Sequence, residues 1–232
     1  MRNAAEQPGL THRSRAASRI DYARHREQMV GFRSRRPKET AMASSTSSPQ
    51  CHCPLLSLPL ELRLQIYTLL LLLPPYSRHS THPALIHAAI LGTSRQIHAE
   101  AWPLLYTKNT FLAHPSLLTS FPRLREDYPP VREAAAVSRI RRFRLVVRLD
   151  CDVLFSREAA AGALSHMDEV VVDVSQAVFL GAGRENLRVL EGVRGVGRAV
   201  IRGSTTGFER YVDWLTGVME AEKGHVAEYV DG

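Results

Sequence analysis

The run Phe143-Arg144-Leu145-Val146-Val147-Arg148-Leu149 decides between an all-helical chain and a mixed one. Its aromatic and β-branched residues suit a pleated, part-buried surface better than a helix. Two runs of the same kind follow at Val170–Val174 and Val196–Arg202, with helical stretches between them. Strands spaced by about 27 residues, with room for a helix in each interval, are the pattern of parallel strands joined by crossovers. The expected fold class is α+β, in which a helical module is followed by a small α/β segment with parallel, repeat-like strands.

Downstream of that run the helix signals are local. Ser156 is placed to cap an Ala-rich helix reaching His166, and Asn186–Leu190 is a shorter helical candidate. Thr206-Gly207-Phe208-Glu209 has capping-box spacing ahead of Phe208, Tyr211, Val212, Leu215 and Met219, with Lys223 and Gly224 closing that helix. The strand interval falls in the leucine-rich-repeat range of roughly 20–29 residues. The L-x-x-L-x-L-x-x-N pattern is absent, and a small right-handed α/β layer explains the spacing equally well.

Upstream of Ser138 the apolar period is helical. Pro59 in a first turn and Glu61 near the positive end of the dipole open a helix. Leu58, Leu62, Ile66, Leu69, Leu70 and Leu73 recur along it, and Pro74-Pro75 stops it before a polar connector, Tyr76–His82. Leu60, Leu64, Leu71 and Leu72 lie off that stripe, so this helix is apolar nearly all round and should be buried on more than one side. From Pro83, the residues Ile86, Ile90, Ile97, Ala101 and Leu105 mark a second helical face, broken at Gly92 and kinked or restarted at Pro103. Thr107–Thr110 carries turn chemistry into Phe111-Leu112, an extended piece expected to pack back on the helices. Pro115–Phe121 and Pro130–Val137 read as short connecting helices. The segments expected are a disordered basic leader (1–50), a helical module (51–122) and an α/β segment (123–232).

Of 232 residues, 44% are apolar and 23% charged, with 14 Gly, 13 Pro and 3 Cys, which excludes collagenous, disulfide-scaffold and wholly disordered classes. Residues 1–41 hold ten Lys/Arg against four Asp/Glu, and the rest of the chain holds twenty against nineteen. The basic character belongs to the leader, so no nucleic-acid partner is expected from the body. Within the leader, Arg33-Ser34-Arg35-Arg36-Pro37-Lys38 is read as an ordinary basic run before it is read as a nuclear address, and Met42 is an alternative start. Odd, sparse cysteines and the lack of an apolar run after Met1 point to an intracellular protein, cytoplasmic or nuclear. Leu69–Leu73 is too short to span a membrane, which would take ~20 residues.

The stretch Leu58-Pro59-Leu60-Glu61-Leu62-Arg63-Leu64-Gln65-Ile66-Tyr67 is followed by Thr93-Ser94-Arg95-Gln96-Ile97-His98-Ala99-Glu100-Ala101, then by Leu104-Leu105-Tyr106 and Asn109-Thr110-Phe111. In that order these segments resemble the F-box-like module common in fungal proteins, whose signature is L-P-x-E-x-R-x-x-I-Y, a C/S-R-Q-I-x-x-E-A helix and an L-Y-x-x-N-T-F ending. The resemblance covers Leu55 to Leu112, roughly a quarter of the chain. It implies a protein-interaction module that docks an Skp1-like adaptor and so brings an unknown protein substrate to a cullin ubiquitin ligase. Leu58, Pro59, Leu62 and Ile66 are the expected partner-binding residues, in a helix-in-groove mode. An interaction or structural role without any ubiquitin link is the first alternative.

No catalytic, metal or cofactor site is expected. The enzymatic rival is the apolar strand that ends in Asp150-Cys151-Asp152, similar to the first motif of haloacid-dehalogenase-type phosphatases, with Ser175 standing for a second motif. There the first carboxylate attacks phosphate, the second moves the proton and magnesium screens both. A downstream acidic pair and a suitable lysine are missing, so two carboxylates at a strand end read first as a turn. Cys51-His52-Cys53 is tighter than structural zinc spacing, and His79, His82 and His87 are read as surface residues. Gly192–Gly197 precedes a strand, whereas a phosphate loop follows one and opens a helix. Arg139, Arg141, Arg142, Arg144 and Arg148 have only Phe143 interleaved and read as a solvated strand face. Neither a G-x-S-x-G elbow nor an H-E-x-x-H pair occurs.

Overall fold

A computed structural model describes residues 53–75, 85–177, 183–222 and 228–230. The leader 1–50, Met42, Cys51, His52, the connector Tyr76–His82 and the pair Lys223-Gly224 lie outside the described residues. Helix α1 spans Leu60–Leu71 and α2 spans Arg95–Lys108, with a 3-10 turn at Ala88–Gly92 between them. Strands β1 (Phe111–His114) and β2 (Leu118–Arg123) follow, then α3 (Ala134–Val137) and β3 (Arg142–Arg148). The chain continues through α4 (Arg157–Leu164), β4 (Glu169–Ser175), a 3-10 turn at Glu185–Leu190, β5 (Ala199–Gly203) and α5 (Glu209–Glu220). The fold is α+β, with one five-stranded sheet in the order β2-β1-β3-β4-β5. Only the β1/β2 pair is antiparallel; β1/β3, β3/β4 and β4/β5 are parallel.

The three strand runs form as expected, with β5 starting later than Val196. The backbone N–H groups of Val196 and Gly197 donate to Met219 and Met167, so the ladder cannot begin before that detour ends. Ser156 caps α4 by accepting from the Ala159 N–H, but the helix ends at Leu164 because His166 takes a left-handed φ of 60°. Asn186–Leu190 forms a 3-10 turn. The capping box before α5 does not form. Phe208 occupies the cap position, and the Glu209 carboxylate instead accepts from the Gly207 N–H, where φ is +95°. The helix nevertheless buries Tyr211, Val212, Leu215, Val218 and Met219 as one stripe.

Three expectations about the middle of the chain are corrected. Phe111-Leu112 does more than pack on the helices: it pairs in parallel with β3, Phe111 opposite Phe143, and so continues the main sheet. Pro115–Phe121 is the turn and strand of a hairpin, not a helix. The ring nitrogen Nδ1 of His114 accepts from the N–H groups of Ser116 and Leu117, and Leu118 adopts φ 48°, a three-residue loop with a left-handed closing residue. Helix forms only over Ala134–Val137 in the Pro130–Val137 stretch, because Val131 N–H is drawn to the Pro122 carbonyl beside β2. The boundary at residue 122 therefore falls inside β2, and both halves share one sheet and one hydrophobic core.

Alternation along the central strands divides the sheet into two unlike faces. Phe143, Leu145 and Val147 of β3 and Val170, Val172 and Val174 of β4 enter the core with Leu164, Leu187, Leu190 and Leu215. The opposite parity carries charge: Arg142, Arg144, Glu169 and Arg202 line an open concavity on the other face, and Asp173 lies buried beneath them.

Candidate interaction site

Helix α1 does not bury the stripe that its leucines predict. The core-facing side is Arg63, Tyr67 and Leu71, spaced by one turn each, with Leu64 and Leu72 part-buried beside them. Leu62 is 45% and Leu69 83% exposed, Pro59 is exposed, and Leu58 and Ile66 are half-buried. At 100° per residue Leu62, Ile66 and Leu69 fall within about 60° of one another around the axis, so they make one continuous apolar strip.

The inward side is set by charge. Arg63 lays a bidentate fork on Glu100 of α2, Nε to Oε2 at 2.9 Å and Nη2 to Oε1 at 2.7 Å. The Tyr67 hydroxyl donates to Oε2 at 2.9 Å and the Gln96 amide to Oε1 at 2.9 Å. Arg63 Nη1 also donates to the Leu58 carbonyl at 2.5 Å, which fixes the entry into α1. The hydrogen bonds from Arg63 and Gln96 hold the Glu100 carboxyl down at about 2. The bond to Glu100 raises the Arg63 guanidinium above its ordinary value. Burial, then the Glu100 carboxylate, raises the Tyr67 phenol. A planar fork matched to a carboxylate opposes the reverse rotation of α1, because turning the helix would pull Arg63 and Tyr67 off Glu100 and forfeit those bonds.

Asn109 finishes both helices. Its Nδ2 donates to the carbonyls of Leu71 and Leu105 at 2.9 Å each, and its Oδ1 accepts from Leu73 N–H at 2.8 Å. These are carbonyls that helix C-termini leave without partners. Arg63, Tyr67, Gln96, Glu100 and Asn109 are thus consumed inside the chain, and the apolar strip is what the helix offers outward. The polar use of these residues is absent from a hydrophobic-period reading, which ranks Arg63 as a surface position.

The rival sites look different. Asp150 accepts a bidentate fork from Arg148 (3.1 and 2.7 Å) and the Ala177 N–H at 3.3 Å, and the Arg148 hydrogen bond lowers its carboxyl pKa. Asn186 Nδ2 donates to the carbonyls of Arg148 and Cys151, so this segment is a tied loop between strand and turn. Asp152 is exposed and Ser175 half-buried. Among the described residues no group of three His, Cys, Asp or Glu side chains is placed to hold a metal. His87, Cys53 and Cys151 are exposed; His79 and His82 lie outside the described residues. Gly192–Gly197 is a loop ahead of β5.

The arginine run is not one solvated face. Arg139 lies over the Trp102 ring at 5.0 Å from its centroid, Arg141 is exposed, and Arg148 serves Asp150. Arg144 is buried and ion-paired with Asp173, itself 3% exposed, which also accepts from Arg202 Nε at 2.7 Å. Burial pushes the Asp173 carboxyl upward, and the hydrogen bonds from Arg202 and Arg144 outweigh it, leaving the pKa lowered. Parity puts the three residues on one face, and the register of the three strands brings them together. Among the described residues no helix is long and apolar enough to cross a membrane. The chain matches no family model, no curated protein and no solved structure.

Proposed function

We propose that the chain is an F-box-like interaction protein whose outer α1 strip, Leu58, Pro59, Leu62, Ile66 and Leu69, docks an Skp1-like adaptor. The observation that carries this reading is the division of α1: the polar residues of the resembling signature close inward on Glu100, while an unbroken apolar strip faces solvent. A core helix in a monomer turns its apolar side inward, and an exposed apolar strip beside polar flanks suits a partner groove. The sheet-bearing half would then carry the surface that meets an unknown protein substrate.

The test is capture of the purified full chain by an Skp1-type adaptor, compared with Leu62→Asp/Leu69→Asp. Both positions are exposed, so the double variant should unfold with an unchanged midpoint to within about 0.5 kcal/mol. Binding by the parent and loss in the variant supports the reading. A folded parent that does not bind overturns the adaptor role.

A further inference from the structure

The sheet face opposite the core carries a second feature, independent of the α1 strip. Parallel sheets are ordinarily covered on both faces, and here, among the described residues, one face carries an open concavity. The concavity over it holds about 440 Å³ and is lined by six cations against two carboxylates. Across the strands, Arg142 of β3 stands opposite Glu169 of β4, with Arg198 on the far side of Glu169 at 3.4 Å. Two positions further along that face, past Val171, Asp173 stands opposite Arg202 and also takes Arg144. Each β4 carboxylate is therefore flanked by two arginines. An ordinary cross-strand salt ladder would balance its charges; this one leaves a surplus, and Lys108 at the end of α2 adds to it.

One group shows where the surplus is unmet. Arg142 Nε is buried and has no hydrogen-bond partner. A guanidinium donor shut away from water without an acceptor is an unusual arrangement in a native fold, and a fork-shaped donor of this kind matches an oxyanion. The lining contains no aromatic ring, so stacked bases of a single-stranded nucleic acid would find no platform. We propose that the open sheet face binds the diphosphate group of a small molecule, held by Arg142, Arg198, Arg202 and Lys108.

The probe is inorganic pyrophosphate, titrated calorimetrically into the folded full chain. The leader is itself basic, so the comparison is between variants of equal charge. Arg142→Gln breaks no ion pair among the described residues and should weaken pyrophosphate by about tenfold, the worth of one charge-assisted hydrogen bond. Arg141→Gln, one residue away and outside the lining, should stay within about twofold. A nucleoside diphosphate should bind as pyrophosphate does, because nothing in the lining stacks on a base. Saturable binding lost selectively in Arg142→Gln supports the site. Equal weakening in both variants, a nucleoside diphosphate bound more than about tenfold tighter, or no saturable heat from a folded sample overturns it.

Discussion

Replacing Asn109 with Ala would test the joint between the helices and the sheet. The side chain is 3% exposed and makes three hydrogen bonds, donating to Leu71 and Leu105 carbonyls and accepting from Leu73 N–H. Each is worth about 1 kcal/mol net, and the groups left behind have little water to turn to, so the loss should be about 3 kcal/mol. For a domain of this size that corresponds to a fall in Tm of about 6–12 °C. Urea unfolding of the full chain should show a lower midpoint with an unchanged slope. Asn109→Asp sharpens the test, because it keeps the acceptor and puts a negative charge beside the C-terminal ends of both helices. It should be at least as destabilising as Ala at neutral pH. The folded state would raise that carboxyl's pKa, so the penalty is present above the folded pKa and fades as the group protonates in acid. A loss below about 0.5 kcal/mol for Asn109→Ala would refute the argument.

Two further outcomes follow from the ion pairs. Glu100 is depressed to about 2, so its contribution is complete above its ordinary value of 4.5 and is lost as pH falls toward 2. Glu100→Gln should flatten that acid limb in a midpoint-versus-pH series, and an unchanged limb would assign the acid sensitivity elsewhere. Asp173→Ala should cost about 3 kcal/mol, because it takes the Asp173 carboxylate away from the buried Arg144 guanidinium, while the half-exposed Arg202 turns to water; chemical denaturation measures it. A further substitution of Arg144 to Met in that background should recover stability, since it removes the buried charge that lost this carboxylate.

Elements with a strong local period were legible in the sequence, and those defined by a partner were not. Val170–Val174 and the Tyr211–Met219 stripe declare themselves through period alone. The β1/β2 hairpin hides because its turn has no Gly; His114 supplies the acceptor and Leu118 the left-handed φ, at positions no turn rule flags. The rotation of α1 was hidden for the opposite reason. With leucine on nearly every side, hydrophobicity cannot choose a face, and the choice falls to Arg63, whose fork must meet Glu100 of α2. The residues expected to dock a partner were named from a resemblance; Leu58 and Pro59 stand at the entry to α1 and Leu62 and Ile66 on it, each exposed or half-buried. The triad at Asp173 needed the register of three strands, which no single stretch contains.

The two proposed sites share no residue, yet one rigid element runs between them. The docking strip lies on α1, and the wall of the basic concavity begins at Leu73–Pro75 just past the end of that helix. From Leu62 to Leu71 the helix rises about 14 Å, and Asn109 fixes its end to the end of α2. Coupling between sites requires an element with two arrangements that each ligand prefers differently. A helix tied to α2 by the Arg63–Glu100 pair near its start and by Asn109 at its end offers one arrangement. Pyrophosphate should therefore leave adaptor affinity unchanged, and the adaptor should leave pyrophosphate affinity unchanged, as reciprocity demands. A shift of more than about fivefold in either titration would mean that the joint at Asn109 moves, and Asn109→Ala should then alter the shift.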